Sequence, residues 1–204
     1  MAAMHPARTA RVERVTRETQ ITVQLTLPGD APAQHHIDTP VPFLSHMLEA
    51  LARHGALQLD VHARGDTHID DHHTVEDIGL VLGSALDRAL GPRLGIFRYG
   101  HFSLCMDEVL VDVALDLGGR PYLVYDLPGV AGKRIGGFDC DLVKEFYQAL
   151  AVQARMNLHI HQRAGGNAHH LVEASFKGLA RALRQACAID PLVGGVPSTK
   201  GTIG

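Results

Sequence analysis

The chain predicts an α+β fold built from one unit used twice, and three observations carry that prediction. Two stretches of alternating apolar and polar residues, LQLDVHAR (57–64) and MNLHIHQR (156–163), match at an offset of 99 residues, with Leu59/Leu158, His62/His161 and Arg64/Arg163 coinciding. Upstream, the helical patterns LSHMLEALAR and VKEFYQALAV keep that offset, sharing Ala50-Leu51 and Ala149-Leu150. Downstream, HHTVEDIGLVLGSALDRAL matches HHLVEASFKGLARALRQAC at an offset of 97, the intervening loop being two residues shorter in the second copy. Self-similarity sustained in order over this length marks a repeated supersecondary unit.

Taken in order, TQITVQLTL alternates apolar and polar residues and reads as a half-buried strand. The helix 44–53 and the strand 57–64 follow, and then a polar loop, GDTHIDD, leads to a helix. In that helix Val75, Leu82 and Leu86 fall at helical spacing and define one core face. Gly91-Pro92 marks the seam between the copies. The second copy opens with the strands EVLVDVALDL and RPYLVYDL and repeats the helix, strand, helix order, with Val172, Leu179 and Leu183 as the equivalent core face. The repeats span roughly 8–91 and 98–190, and a tail of 191–204 ends the single domain.

Composition narrows the function. With 204 residues, 46% hydrophobic, 20% charged and a net charge of −3, the chain has the core of a globular domain and no basic footprint for nucleic acid or an anionic membrane. No run reaches the roughly 18 apolar residues of a membrane span. The start, MAAMHPARTARVERV, lacks the apolar core of a signal peptide, which sets the expectation of a cytoplasmic protein. Cys105, Cys140 and Cys187, odd in number and far apart, support neither a disulfide framework nor a zinc knuckle.

The anomaly is 14 histidines against 7 glutamates. The repeat sorts them. Each copy holds a His-His-x-x-Glu, His72-His73-x-x-Glu76 and His169-His170-x-x-Glu173, preceded in the first helix by His46 or, at its counterpart, Glu145. On a helix, residues three or four apart are neighbours, so Glu76 reaches His72 or His73 and Glu173 reaches His169 or His170. Adjacent histidines stand about 100° apart around the axis and face different partners. One such motif is compatible with exposed polar residues at a helix start; two at matching places point to eight ligands for two metal ions. A nitrogen and carboxylate set without thiolate favours Mn, Fe or Zn. The remaining histidines read as solvated (His5, His35, His36, His54, His101) or as polar-side strand residues (His62, His161), with His68 and His159 unassigned.

Two further groups complete the candidates. The tail PSTKGTI offers Ser198, Thr199 and Lys200 to an anion, joined by Arg98 in FRYG and Arg120 in GGRPY. Lys177 lies one turn beyond Glu173, where it reaches across the metal site. Glu18 and the pair Asp107-Glu108 precede equivalent strands, at mouths where a general base can be held.

The ordered set GDTHIDDHHTVED, MDE, GGRPYL, NLHI, GGNAHHLVEASFK and PSTKG resembles the imidazoleglycerol-phosphate dehydratase family, from about Arg11 to the end of the chain. The resemblance implies a duplicated α+β unit of the ribosomal protein S5 domain 2-like kind and a 24-subunit shell with active sites at subunit interfaces. It implies two Mn²⁺ per active site, and a hydro-lyase converting D-erythro-imidazole-glycerol phosphate to imidazole-acetol phosphate in histidine biosynthesis. Carried over, the ligands fall on His46, His72, His73, Glu76, Glu145, His169, His170 and Glu173. The acid-base residue falls on Glu18, with Asp107 as a second candidate. The phosphate contacts fall on Arg98, Arg120, Lys177, Ser198 and Lys200, with Thr199 beside them. Ser45 stands where the family usually has aspartate, Cys105 where proline is common, and Gly118 for a usual serine. Two alternatives stay open on the residues alone: a two-metal phosphoester hydrolase and a non-catalytic metal-binding protein.

Overall fold

A computed structural model describes residues 8–29 and 32–203; His5 lies outside them. The first repeat contains β1 (Thr9–Val15), β2 (Thr19–Thr26), β3 (Gln34–Asp38), α1 (Pro42–Gly55), β4 (Gln58–Gly65) and α2 (His72–Leu90). The second contains β5 (Tyr99–Met106), β6 (Val109–Asp116), β7 (Tyr122–Asp126), a short hairpin β8 (Arg134–Ile135) and β9 (Phe138–Asp139), α3 (Leu142–Gln153), β10 (Asn157–Ala164) and α4 (Ala168–Cys187). The expected α+β duplication is present. The sheets run β1-β2-β4-β3 and β5-β6-β10-β7, the same order in each half. In both, the first three neighbours are antiparallel and the fourth strand joins in parallel through a helical crossover.

Five strands go beyond the sequence expectation: the two-residue strands β8 and β9, and β1, β3 and β5. β1, β3 and β5 are edge strands, and β3, reading QHHID, has no fully buried residue, only Ile37 packing against the core from outside. Their pairing comes from the neighbouring strand rather than from their own pattern. By contrast β2 buries Thr19, Ile21, Val23 and Leu25 and turns Gln20 and Gln24 to solvent, which is why its alternation is readable.

The halves interlock through their helices. α2 covers β1 and β2 of its own sheet but packs along α3, while α4 covers β5 and β6 and packs along α1. The α2–α3 approach depends on two glycines. A Cβ at Gly79 would sit 2.7 Å from the Phe146 carbonyl oxygen, and one at Gly83 2.7 Å from that of Leu150. Phe146, Tyr147 and Phe176 fill the centre, with the Tyr147 hydroxyl 2.8 Å from Ser175 Oγ. This exchange of helices carries His46, on α1, to the start of α4.

Candidate functional site

Every metal candidate sits in the first or second turn of a helix. His72, His73 and Glu76 open α2, where Asp70 Oδ1 accepts from the His72 backbone N–H at 2.8 Å. His169, His170 and Glu173 open α4, where Asn167 caps the helix by accepting from the His170 backbone N–H at 3.3 Å. The i, i+4 expectation resolves to the first histidine of each pair: His72 Nε2 lies 3.7 Å from Glu76 Oε2, and His169 Nε2 lies 3.1 Å from Glu173 Oε2. The second histidines turn away, their rings nearly perpendicular to their neighbours at 88° and 86°.

Because α1 packs on α4, His46 Nε2 comes within 3.8 Å of Glu173 Oε2. Ligand atoms of His46, His169 and Glu173 all lie within 4.8 Å of one another, a nitrogen, nitrogen, oxygen set that fits a borderline divalent ion. Burial pulls the Glu173 carboxyl up, but the Lys177 ammonium, 2.6 Å from Oε1, together with His169 and His46, more than offsets it and holds the group below the ordinary carboxylate range. Glu145 lies in the first turn of α3, yet among the described residues no group of three ligand atoms so close includes it.

The acids lie at hairpin turns. Thr16 and Thr19 bridge the β1–β2 turn around Arg17-Glu18, and Asp107-Glu108 forms the two-residue β5–β6 turn, with Asp107 in the left-handed region at φ 49°. Strand register, Val15 pairing Gln20 as Cys105 pairs Leu110, makes Glu108 the counterpart of Glu18 and Asp107 that of Arg17. Glu18 Oε2 is 4.0 Å from His73 Nδ1, and Asp107 Oδ2 is 3.8 Å from His170 Nε2. A second close group, Asp107, Glu108 and His170, follows from this turn. Three contributors escaped the sequence reading in these roles. Asp66 binds His73 Nδ1 at 3.0 Å and raises the pKa of that ring. The His170 ring, 3.0 Å from Glu108, holds that carboxyl below its usual range. Asp77, buried, accepts from Arg14 Nε at 2.9 Å and from the Thr19 hydroxyl beside Glu18. Their only sequence signal was acidity next to a turn or a ligand.

The anion candidates converge separately. Arg98, Arg120, Ser198, Thr199 and Lys200 line one cleft of about 690 Å³. Arg98, strained at φ 70°, grips Asp116 through Nε at 2.6 Å and Nη2 at 3.0 Å, and gives Nη1 to the Pro197 carbonyl at 2.9 Å. It therefore ties the tail to the start of β5 and keeps two donors for a ligand. Lys177 does not line this cleft; its partner is Glu173. Of the other histidines, His62 pairs with Asp60 at 3.0 Å and His161 lies 3.5 Å from Asp126, both on the outer faces of the sheets.

Fold and site together define an internally duplicated α+β protein with imidazole and carboxylate donors gathered at helix starts and a basic cleft under its tail. The sequence model of one family, described as imidazoleglycerol-phosphate dehydratase, matches residues 39–183. Curated proteins of that name from Thermosynechococcus vestitus and Geobacter metallireducens are each 54% identical over 199 residues, 97% of this chain and 93% and 100% of theirs. Crystal structures of imidazoleglycerol-phosphate dehydratase are similar throughout. That from Pyrococcus furiosus gives a TM-score of 0.81 at 38% identity, over 94% of this chain and 100% of the other. That from Staphylococcus aureus gives 0.79 at 37%, over 89% and 99%. The chain belongs to the imidazoleglycerol-phosphate dehydratase family.

Proposed function

We propose that the chain is a metal-dependent hydro-lyase of histidine biosynthesis, working in the cytoplasm, that removes water from D-erythro-imidazole-glycerol phosphate to give imidazole-acetol phosphate. The observation that carries the metal dependence is the close approach of His46, His169 and Glu173 from two helices of opposite repeats. His46, His72, His73, Glu76, Glu145, His169, His170 and Glu173 would hold two Mn²⁺. When bound, the ions supply Lewis-acid polarisation of the substrate ring and a template for it.

The proton to be removed sits on carbon beside an imidazole ring and is barely acidic, so a placed base is needed. Glu18, on a pinned turn and 57% exposed at the side chain, is free to take it. The hydroxyl leaves as water once protonated, and Asp107, at the opposite hairpin, would relay a proton taken up from solvent as the second candidate for acid-base work. The enol that remains relaxes to the ketone. Arg98, Arg120, Ser198, Thr199 and Lys200 hold the phosphate and contribute remote binding energy. Lys177 neutralises Glu173 at the metal cluster and reaches the phosphate only if the substrate spans both.

Two internal rulers support active sites shared between subunits. The cleft lies where Tyr99 pairs with Asp116, while Asp107 sits just beyond the other end of that hairpin, whose last pair, Met106 with Val109, is seven residue steps or about 24 Å away. Arg98 N–H binds the Ala186 carbonyl near the end of α4, sixteen helical steps or about 24 Å from His170. No three-carbon phosphate reaches from one to the other, so within one chain this cleft and the His170 end of α4 would not serve one substrate, which supports a site completed by a second copy. A homo-oligomer is therefore part of the proposal, and the 24-subunit shell is what the family resemblance adds to it.

The test is purified protein with Mn²⁺ and imidazole-glycerol phosphate, followed by absorbance of the enolised product. Product should form, stop on chelation, and be nearly absent in Glu18→Gln with metal content retained. Near parental turnover in Glu18→Gln removes that residue from the mechanism, and release of inorganic phosphate would make the protein a hydrolase instead.

A further inference from the structure

Register makes Glu18 and Glu108 equivalent positions, yet their surroundings differ. Both oxygens of Glu108 are engaged: Oε2 meets His170 Nδ1 at 3.0 Å and Oε1 accepts from the Asn167 backbone N–H at 3.2 Å. Glu18 faces the matching histidine, His73, but stands 4.0 Å from Nδ1. Among the described residues its carboxylate receives no hydrogen bond. The hydrogen bond to His73 Nδ1 is taken by Asp66, at 3.0 Å from Oδ2 and 3.3 Å from Oδ1, and Asp66 also donates its backbone N–H to the Glu18 carbonyl at 3.1 Å. At the repeat offset the place of Asp66 falls to Gly165, which has no side chain to offer.

We infer that Asp66 is a positioning residue that takes over the holding of His73 and thereby frees Glu18 for proton transfer, whereas in the second repeat Glu108 itself does the holding. In both repeats a carboxylate on Nδ1 fixes the imidazole tautomer and turns Nε2 outward as the free ligand atom, the arrangement by which such partners tune metal affinity. The duplicated turn glutamates have therefore diverged: one orients a ring, the other is left with an unengaged carboxylate. Asp66 is the residue that separates them.

This inference rests on the metal reading above, and Mn²⁺ affinity, measured by calorimetry on stripped protein, tests both. Glu108→Ala and Asp66→Ala should each weaken Mn²⁺ binding at least tenfold, the lower end of what losing such a partner costs. Glu18→Ala should stay within about threefold of the parent, outside that range. Asp66→Asn, which still accepts from Nδ1–H, should restore most of the affinity. The stripped Asp66→Ala and Glu108→Ala proteins should melt with the stripped parent, since neither carboxylate props the core. Equal losses in Glu18→Ala and Glu108→Ala, with the parent binding normally, would overturn the division of roles. So would an Asp66→Ala protein that binds like the parent, or one whose stripped form melts lower and which Asp66→Asn fails to rescue. A parent that takes up no Mn²⁺ would instead refute the metal reading itself, and this inference with it.

Discussion

Replacing Asp77 by alanine removes the buried acceptor that ties the β1–β2 turn to α2, and the cost follows from its two partners. Its Oδ2 takes the hydroxyl hydrogen of Thr19, itself only 4% exposed, and a hydrogen bond to a charged group is worth about 1.5–3 kcal/mol. The Arg14 guanidinium is 45% exposed, so its share is screened to about 1 kcal/mol or less. Alanine returns about 0.5 kcal/mol of helix propensity. Thr19 keeps a second contact to the Thr16 hydroxyl at 3.2 Å, which softens the loss. The net is about 2 kcal/mol, or a melting temperature lower by about 4–8 °C at this chain length.

The same change loosens the residue next to Glu18, so turnover should fall further than stability alone requires, while Mn²⁺ content stays. The assay is thermal unfolding at fixed protein and Mn²⁺ concentration, because assembly and metal both raise the midpoint, paired with kcat on folded protein. Thr19→Val should reproduce part of both effects. The fourth-helix counterpart of Asp77 is Ala174, so alanine itself is acceptable at this helical position. A midpoint within 1 °C of the parent, or a lower midpoint with parental kcat, would refute the argument that this buried pair holds the turn.

Lys200→Ala should chiefly raise KM, by a factor of ten or more for a charge-assisted contact worth about 1.5–3 kcal/mol, and an unchanged KM with lower metal content would move Lys200 out of the cleft. Arg98→Ala should raise KM and also release the tail, since the Pro197 carbonyl loses its donor; faster proteolysis within 191–203 reads the second effect. Thiol alkylation of the native protein near neutral pH should stop at one group, Cys105, because burial raises the Cys140 thiol and pushes Cys187 to about 12; three react after denaturation. Chelation should split the proposed 24-subunit shell into smaller oligomers, with Mn²⁺ restoring it, and light scattering from a large particle that stays unchanged after verified metal loss would show that packing alone holds such an assembly.

What could be read from the sequence was what is local in the chain. The pairs His72–Glu76, His169–Glu173 and Glu173–Lys177 are one helical turn apart, and helix geometry alone brings each together. The meeting of His46 with His169 was not local, and only the repeat singled both out; the packing of α1 on α4 then joined them. Strands β1, β3 and β5 were missed because an edge or polar strand carries little pattern of its own and is specified by its neighbour.

The roles of Glu108 and Asp77 escaped for a related reason, since each depends on a turn touching a helix start far along the chain, while Asp66, seven residues before His73, lies in an aperiodic loop whose path the sequence does not specify. Yet one trace of the asymmetry was in plain sight. The repeat offset falls from 99 to 97 between the inner strand and the following helix, so the loop after β4 is longer than the loop after β10. The longer loop carries Asp66 back to Glu18 and His73; the shorter one, beginning at Gly165, presses on Val109 and leaves Glu108 to meet His170. A Cβ at Gly165 would lie 2.7 Å from Val109 Cα, and its φ of 84° favours glycine, so the second loop has neither the room nor the side chain to relieve its glutamate. In this proposal the first residue of that loop, Asp66 in one copy and Gly165 in the other, is what separates the two equivalent carboxylates.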